Sequence, residues 1–264
     1  MRETKDNKKK LTILLIIRII LIIIIIYCLI YIFRWFMENQ KNSKILDEIT
    51  SETIIDTITV ELPISDEDGE TDPIKITTYE LDFDKLLPIN NSTVGWLTVL
   101  NTSIDYPVVQ AQDNTYYLTH SFDKTQNSAG WVFADYRNKF DGTDKNIIMY
   151  GHNRMDSSMF ATLNTTQKDW WYNNASNRYI TFTTPTATCI YEVFSTYTIK
   201  AENYYIQTDF ESDSHYLEFL NSLKSRSVHD FNVSLDASDS ILTLSTCDAT
   251  GRSRVVLHAK KINY

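Results

Sequence analysis

A long apolar stretch near the N-terminus places the firmest constraint on how this chain folds. Residues 11–33 contain one charged side chain, Arg18, in 23 positions. That length crosses the hydrocarbon core of a bilayer as an α-helix. Inside lipid there is no water to bind the backbone, and an α-helix satisfies the backbone hydrogen-bonding groups of a single segment by itself. We therefore expect a membrane-spanning anchor over residues 11–36.

The charges on either side of this stretch predict its orientation. Five basic residues precede it within residues 1–10, whereas only Arg34 follows it at once. Because basic segments stay on the cytoplasmic side, residues 1–10 are expected in the cytoplasm and everything after residue 36 outside the cell. Residues 37–42 contain no small-residue cleavage site. An uncleaved anchor in the cell membrane is therefore favoured over a removable signal peptide.

The region after the anchor is expected to be a spacer. Its first part predicts a helix leaving the membrane as far as about residue 49, and residues 66–73 form an acidic segment that contains Gly69 and Pro73. Such a segment offers little apolar surface to bury. Residues 37–78 are therefore interpreted as a juxtamembrane helix and acidic linker, and residues 79–264 as one folded domain.

The overall charge narrows the classes of partner. The formal net charge is −9 and the isoelectric point is near 5.0. A nucleic-acid partner is disfavoured, because proteins that bind phosphate backbones present a basic surface. The sequence also lacks a cluster of His and Cys at metal-ligand spacing, so neither a metal nor another cofactor is expected.

Eight short runs predict that the folded domain is mainly β. They alternate with turn residues, a pattern typical of a sandwich or a barrel. One helix is predicted over residues 212–225, where apolar residues recur at helical spacing behind a Ser/Asp cap. A shorter helix is expected near residues 79–87. The eight runs are residues 95–100, 104–110, 130–134, 146–150, 179–183, 188–197, 241–247 and 254–261.

The last two runs place a cysteine beside two arginines. Cys247 ends one predicted strand, residues 248–251 have the composition of a turn, and Arg252 and Arg254 begin the next strand. A thiol at a strand end next to cations is in a setting that favours the reactive thiolate. This pattern makes Cys247 a candidate nucleophile.

Two structural interpretations of Cys247 stand beside the catalytic one. A buried cysteine often acts as a small hydrophobic residue. A disulfide with Cys189 is also possible outside the cell, whereas Cys28 lies in the predicted membrane span. A constitutive bridge would rule out the nucleophile.

A catalytic cysteine needs a basic partner, and His152 is the favoured histidine. It follows Gly151 at the end of a predicted buried strand, a rigid position from which a side chain can reach a cleft. The other four histidines are predicted to lie on the surface, on the late helix, in a polar loop or farther along the arginine strand. They are His120, His215, His229 and His258.

Six motifs resemble those of a class B sortase. They occur in the family's order over about residues 79–264. The motifs are Val94-Gly-Trp-Leu97, Asp105-Tyr-Pro-Val-Val-Gln110, Ala129-Gly-Trp-Val-Phe-Ala-Asp-Tyr-Arg137, Tyr150-Gly-His-Asn153, Thr243-Leu-Ser-Thr-Cys247 and Arg254-Val-Val256.

The resemblance implies an eight-stranded sortase β-barrel with peripheral helices, one of them just before the cysteine strand. It also implies a catalytic trio of His152, Cys247 and an arginine. The chain departs from the family in having only six residues between Cys247 and Arg254. A tight four-residue hairpin would put Arg252 opposite Cys247 and Arg254 diagonal to it. The family's Arg-Val-Val pattern favours Arg254, and Arg252 is the rival.

The resemblance further implies a cysteine transpeptidase of a Gram-positive bacterium. Such an enzyme cleaves a C-terminal sorting signal after Thr through a thioester, then joins the secreted protein to a peptidoglycan amine. The expected signal is of the type Asn-Pro-x-Thr-Asn or a Pro-x-Thr-Gly variant. Asp105, Val109 and Ser245 are predicted to contact the peptide.

Two alternative functions stand beside this one. A non-catalytic, membrane-anchored peptide-binding module would keep the barrel without the chemistry. A papain-like hydrolase is disfavoured, because in that family the cysteine precedes the histidine, whereas here His152 precedes Cys247.

Overall fold

The computed structural model describes residues 2–62, 73–247 and 252–262, and within them the chain forms four α-helices and ten strands. The helices are α1 Arg2–Thr53, α2 Phe83–Ile89, α3 Asp169–Tyr172 and α4 Asp213–Ser225. The strands are β1 Ile54–Leu62, β2 Ile74–Leu81, β3 Thr93–Val99, β4 Asp105–Gln110, β5 Phe133–Ala134, β6 Asn146–His152, β7 Tyr179–Thr183, β8 Thr188–Lys200, β9 Ile241–Cys247 and β10 Ser253–Ile262.

The chain divides into two compact units, Met1–Lys44 and Ile45–Tyr264. The first unit consists of most of α1. Among the described residues α1 is the one helix that is long and apolar enough to cross a membrane, and its side chains over residues 11–33 are exposed. The predicted span over residues 11–36 lies within this helix, which continues without a break to Thr53.

The predicted linker is partly wrong, because it contains a β-hairpin. Strands β1 and β2 pair antiparallel, with Val60 opposite Ile76 and Leu62 opposite Ile74. Their alternating apolar side chains bury one face, where Leu62 and Ile76 pack with Ile190 of β8. The second compact unit therefore begins well before residue 79. Most of the acidic segment, residues 66–72, lies outside the described residues.

Eight strands close into a barrel in the order β10-β8-β7-β3-β4-β5-β6-β9. All eight predicted runs contribute a strand, and the predicted barrel is confirmed. Neighbouring strands are antiparallel except for β4–β5 and β6–β9, which are parallel. Strand β6 extends two residues beyond its prediction, to His152. Strand β5 is shorter than predicted and contains only Phe133 and Ala134.

The helices lie outside the barrel, as predicted. In α4 the Ser212 hydroxyl accepts a hydrogen bond from the His215 backbone N–H, as an N-cap does. The face of α4 that carries Tyr216, Phe219, Leu220 and Leu223 is buried. The short early helix, α2, begins later than predicted, behind its own cap residue Asp82.

Candidate active site

The strand register pairs two of the three predicted catalytic residues directly and, extended by two residues, aligns the third with them. His152 of β6 is paired with Cys247 of β9. In the antiparallel pair β9–β10, Ser245 lies opposite Val256, so two residues farther along the same register Cys247 is level with Arg254. Neighbouring strands are about 4.8 Å apart. Cys247 therefore occupies the strand between His152 and Arg254.

The register corrects the predicted hairpin between the last two strands. A four-residue turn would have set Arg254 opposite Ser245, but the observed partner of Ser245 is Val256. The register of the last two strands is therefore shifted by two residues from the predicted one. Continued by two residues, this register aligns Arg254, and not Arg252, with Cys247. Arg252 precedes β10 and is exposed, whereas Arg254 lies within the strand and is half-buried.

His152 is held by a hydrogen bond that determines its tautomer. Its Nε2 atom lies 2.8 Å from the carbonyl oxygen of Leu118, at the end of the 3₁₀ turn Tyr116–Leu118. Because a carbonyl oxygen only accepts, Nε2 carries a hydrogen. In the neutral ring Nδ1 is then the unprotonated nitrogen. The atom available for proton transfer is Nδ1.

Gly130 makes this position of the imidazole ring possible. Its φ is +61°, and a Cβ atom there would lie 2.9 Å from Cδ2 of His152 and 2.5 Å from the carbonyl oxygen of Tyr117. Any side chain would push the ring or the turn away. The next residue, Trp131, donates its backbone N–H to the same Tyr117 carbonyl at 2.9 Å. The chain before β5 therefore packs directly against the histidine.

The surroundings of His152 disfavour its charged form. Burial lowers the pKa of the imidazole, the Leu118 hydrogen bond opposes this effect, and the nearby Arg154 guanidinium adds to it. The net shift is downward. The neutral ring therefore predominates at neutral pH in the absence of a negatively charged partner.

A buried carboxylate supports the strand that ends in His152. Asp135 accepts hydrogen bonds from Arg137 through Nε at 2.8 Å and Nη2 at 2.7 Å, from the Tyr150 hydroxyl at 2.8 Å and from Asn114 Nδ2 at 2.9 Å. Burial alone would raise the pKa of Asp135, but these hydrogen bonds outweigh it and the net shift is downward. Asp135 is therefore an ionised structural anchor.

A second buried network centres on His258. Its Nδ1 lies 2.9 Å from the Thr243 hydroxyl, and its Nε2 lies 2.9 Å from the Tyr197 hydroxyl. Burial lowers the pKa of His258 to about 3, so the ring is neutral. Thr243 also donates to Asn146 Oδ1 at 2.7 Å. The network therefore links strands β8, β10, β9 and β6 side by side.

The segment that follows β8 is fixed over these strands. Asn146 donates from Nδ2 to the carbonyl oxygens of Tyr205 at 3.3 Å and Gln207 at 2.9 Å. The Tyr205 hydroxyl lies 2.9 Å from Ser245 Oγ. Arg137 also donates to the Ile206 carbonyl at 2.9 Å. Residues 205–207 therefore lie against the start of β6, and the Tyr205 side chain reaches β9 two residues before Cys247.

Two of the three predicted peptide contacts are buried, and the third, Asp105, is half-buried with its carboxylate fully engaged. Asp105 accepts hydrogen bonds from the Tyr79 hydroxyl at 2.9 Å, Trp96 Nε1 at 2.7 Å and the Thr98 hydroxyl at 2.9 Å. Its carboxylate thereby fastens β2 to β3 and β4. Val109 and Ser245 are buried, with 0% and 1% exposure. The contacts of Asp105 support a structural role for its carboxylate, and the two buried side chains offer little surface to a peptide.

Cys189 is a free thiol, so the alternative of a disulfide with Cys247 is wrong. Cys189 precedes Ile190, which pairs with Ile262 at the far end of β10, whereas Arg254 pairs with Ile199. About nine residues at about 3.3 Å each separate the two ends, roughly 30 Å. A disulfide needs Cα atoms within about 7 Å.

Several of these residues could not be assigned a role from the sequence. Asn146, Tyr205 and Arg137 act through partners that are 8 to 97 positions away in the chain, and Gly130 acts through its lack of a side chain. Gly130 and Arg137 lie in one of the motifs that resemble sortases, but the motif alone gives neither residue a role. Among the described residues, no group of three or more His, Cys, Asp or Glu is placed to hold a metal ion.

Comparison with known proteins agrees with this geometry. A family model described as the sortase domain matches residues 97–262, and the chain belongs to the sortase family. Within the family it is a class B sortase, a cysteine transpeptidase. It is 36% identical to sortase B of Listeria monocytogenes over 85% of this chain and 87% of the relative. It is likewise 36% identical to sortase B of Staphylococcus aureus over 68% of this chain and 74% of the relative.

Solved structures show the same likeness. Sortase B from Bacillus anthracis, crystallised with a compound named AAEK1, superimposes with a TM-score of 0.70 at 34% identity, covering 87% of this chain and 100% of that one. A complex of Staphylococcus aureus sortase B with substrate superimposes with a TM-score of 0.64 at 36% identity, covering 69% of this chain and 84% of that one.

Proposed function

We propose that this class B sortase anchors secreted proteins to the cell wall, with Cys247 as nucleophile, His152 as general acid and base, and Arg254 as the residue that stabilises developing negative charge. The observation that carries the proposal is the pairing of His152 with Cys247 at the ends of two adjacent strands, with Arg254 on the strand that flanks Cys247 on its other side. Ends of barrel strands hold side chains more rigidly than loops do.

In the first half of the reaction, the Cys247 thiolate attacks the carbonyl carbon of the Thr in a sorting signal. A C–S bond forms and the C–N bond to the next residue breaks. Nδ1 of a protonated His152 gives its proton to the leaving amine, because Nε2 is engaged with Leu118. The products are a thioester and a new free amine.

In the second half, an incoming amine attacks the thioester carbon. Neutral His152 takes a proton from that amine at Nδ1 as the new amide bond forms, and Cys247 leaves as the thiolate. Since burial lowers the pKa of His152, its protonated form is a minor state that needs the thiolate beside it.

Arg254 supplies a permanent positive charge on the other side of Cys247. A guanidinium stays protonated throughout the working pH range and presents several N–H donors. Aimed at the oxygen that becomes negative during attack, it lowers the free energy of the tetrahedral intermediate. Its Nη1 donates to the Ser253 carbonyl at 3.0 Å, which leaves further donors for a substrate.

The substrate classes follow from the relatives. Solved structures include a complex of Staphylococcus aureus sortase B with substrate and a complex of sortase B with a triglycine peptide. For this chain we propose a C-terminal peptide of the type Asn-Pro-x-Thr-Asn or a Pro-x-Thr-Gly variant, cut after Thr, and a peptidoglycan amine as acceptor. Helix α1 would anchor the enzyme in the membrane, with residues 1–10 in the cytoplasm and the barrel outside a Gram-positive cell.

The proposal is tested with the full chain in detergent micelles and a library of such peptides, with and without a diamine. Mass spectrometry should show cleavage after Thr and addition of the amine. The Cys247→Ala and His152→Ala variants should lose this activity, whereas Cys189→Ala should keep it. Cleavage without amine addition would indicate a hydrolase. Peptide binding with no thioester would favour the non-catalytic binding module.

The proposed orientation of the chain in the membrane needs a separate test. Protease added to cells stripped of their wall should remove the barrel and leave a short membrane fragment. A barrel that stays intact in unbroken cells, but is cut after lysis, would reverse the proposed topology.

A further inference from the structure

A cavity of about 420 Å³ opens at one mouth of the barrel. Strands β6 and β8 begin there, and β7 and β10 end there. Volumes of this size are typical of small-molecule sites, and barrel mouths are among the places where such sites occur. The side chains on which the argument rests are Phe140, Ile147, Phe182, Cys189 and Tyr191.

This cavity is separate from the proposed catalytic residues. Cys189 lies at the start of β8 and pairs with Phe182, the penultimate residue of β7. Ile199, which pairs with Arg254, lies ten residues farther along β8. That distance along the strand is roughly 33 Å. A molecule in the cavity cannot touch the reacting atoms.

The inner walls of the cavity are apolar. Phe140 and Phe182 face each other with ring centroids 5.9 Å apart and planes tilted by 46°. Ile147 of β6 and Cys189 of β8 are only half-buried, so both leave surface exposed. The aromatic ring of a ligand can pack against these two side chains, because aromatic rings at such distances prefer tilted or offset arrangements.

One polar group at this cavity has no partner. Tyr191 is only 2% exposed, yet its hydroxyl forms no hydrogen bond with any residue that the structure describes. The buried tyrosines 197, 205 and 216 each have a hydroxyl partner within 2.9 Å. Burial raises the pKa of Tyr191, so the phenol stays protonated and can donate. The hydroxyl is not among the described side-chain atoms that are buried without a partner, so it is open to the cavity and can donate to a molecule there.

The rim of the cavity disfavours a negatively charged ligand. Asp141 and Asp144 lie on it, opposed by Lys261 alone. Asp144 already accepts the backbone N–H groups of Lys139 and Phe140, at 3.0 and 2.7 Å. The rim hydroxyls of Thr184 and Ser240 are uncharged. Excess negative charge at the entrance repels anions and leaves neutral compounds unaffected.

We propose that this barrel mouth binds a small uncharged aromatic compound that carries an oxygen acceptor. The ring lies between Phe140, Ile147 and Phe182, and the oxygen accepts a hydrogen bond from the Tyr191 hydroxyl. The site is separate from the transpeptidation chemistry, so its test does not depend on the proposed catalytic roles.

The test uses a matched pair of probes, acetophenone and isopropylbenzene, which share their shape but differ in the carbonyl oxygen. The full chain in detergent micelles is alkylated with N-ethylmaleimide, and peptide mapping by mass spectrometry follows Cys189 and Cys28 separately. Acetophenone should slow the alkylation of Cys189 at lower concentration than isopropylbenzene does. Cys28, on α1, reports any general effect of the probes on the reagent or the micelle.

Two variants test the assignment of groups. Tyr191→Phe keeps the ring and removes the hydroxyl, so acetophenone should bind about fivefold more weakly and lose its advantage over isopropylbenzene. Cys189→Phe should fill the cavity and abolish the rise in melting temperature that acetophenone gives the unaltered protein. Unchanged alkylation of Cys189 at saturating acetophenone would overturn the proposal, as would equal affinity in Tyr191→Phe.

Discussion

His152 donates its Nε2 hydrogen to the carbonyl oxygen of Leu118, 2.8 Å away, which leaves Nδ1 as the nitrogen for the proposed proton transfer. The acceptor is a backbone atom, so substitution of the Leu118 side chain leaves this bond in place. The ring is therefore oriented by the fold of the 3₁₀ turn and by the close approach of Gly130.

Gly130→Ala should therefore disable catalysis through the histidine. The added methyl group would lie 2.9 Å from Cδ2 of His152, and positive φ adds backbone strain. We expect kcat to fall by on the order of 100-fold, as for a misplaced catalytic group. Gly142→Ala is the matched control, because Gly142 has φ of +87° but nothing within 4 Å of its Cβ position. Equal losses in both variants would show that strain alone is responsible.

The two arginines should differ strongly in their effect on activity. Arg254 is level with Cys247, whereas Arg252 precedes the strand. Arg254→Ala should lower kcat by about 100-fold or more, and Arg252→Ala by less than about threefold. Steady-state kinetics with the cleaved peptide measure both. The opposite order would mean that the register of the last two strands shifts when substrate binds.

His258 should make the protein less stable in acid. Its pKa is about 3 in the folded protein and about 6.5 when unfolded, so the unfolded chain binds the proton more readily. Stability is then complete above pH 6.5 and falls as the pH drops from 6.5 towards 3, by up to about 1.4 kcal/mol per unit. His258→Gln should flatten the decline in melting temperature between pH 7 and pH 5. The control variant His120→Gln, in a turn outside the barrel, should show the same decline in melting temperature as the unaltered protein.

Asp105 is expected to stabilise the fold and to leave peptide binding unaffected. Asp105→Ala removes the acceptor of three donors, two of which, Tyr79 and Trp96, are aromatic side chains. We expect a loss of about 2–4 kcal/mol in the free energy of unfolding with KM unchanged. Tyr79→Phe removes one of these bonds and should cost about 1 kcal/mol. A raised KM in Asp105→Ala at unchanged stability would restore the role in peptide binding predicted from its motif.

The contact between Tyr205 and Ser245 should affect substrate binding more than chemistry. Loss of their 2.9 Å hydrogen bond loosens residues 205–207 over the cysteine strand. Tyr205→Phe and Ser245→Ala should each raise KM about fivefold with little change in kcat. The double variant should be no worse than either single one. Additive effects would mean that the two residues act separately.

Local patterns in the sequence were sufficient to predict the strands, and the resemblance to sortases supplied the choice of a barrel over a sandwich. Each of the eight strands has its own alternation or apolar run, and Ser212 marks the start of α4 by its capping side chain. The hairpin β1–β2 was missed because its acidic neighbours suggested a linker, although Val60, Leu62, Ile74 and Ile76 alternate. The acidic composition of the whole segment concealed the alternation of apolar and polar residues in these two strands.

The parts that could not be predicted depend on contacts between distant segments. Arg252 and Arg254 are two residues apart, so strand alternation puts both on the same face. Only the pairing of Ser245 with Val256 indicates which of them is aligned with Cys247. The motif containing Asp105 suggested a residue of the peptide groove. The sequence does not show that the Tyr79 hydroxyl donates a hydrogen bond to its carboxylate. Short-range patterns determine which strands form, whereas register and packing determine which side chains meet.

Strands β6 and β9 are parallel neighbours, and His152 and Cys247 are the final residue of each. The segment that follows β6 therefore starts beside the proposed catalytic pair, and its residues 155–157 are exposed. The bridge between Asn153 and Met159 closes this segment back onto itself. An engineer seeking a ligase for a new peptide would randomise residues 155–157 first, and would keep the eight strands as a fixed frame.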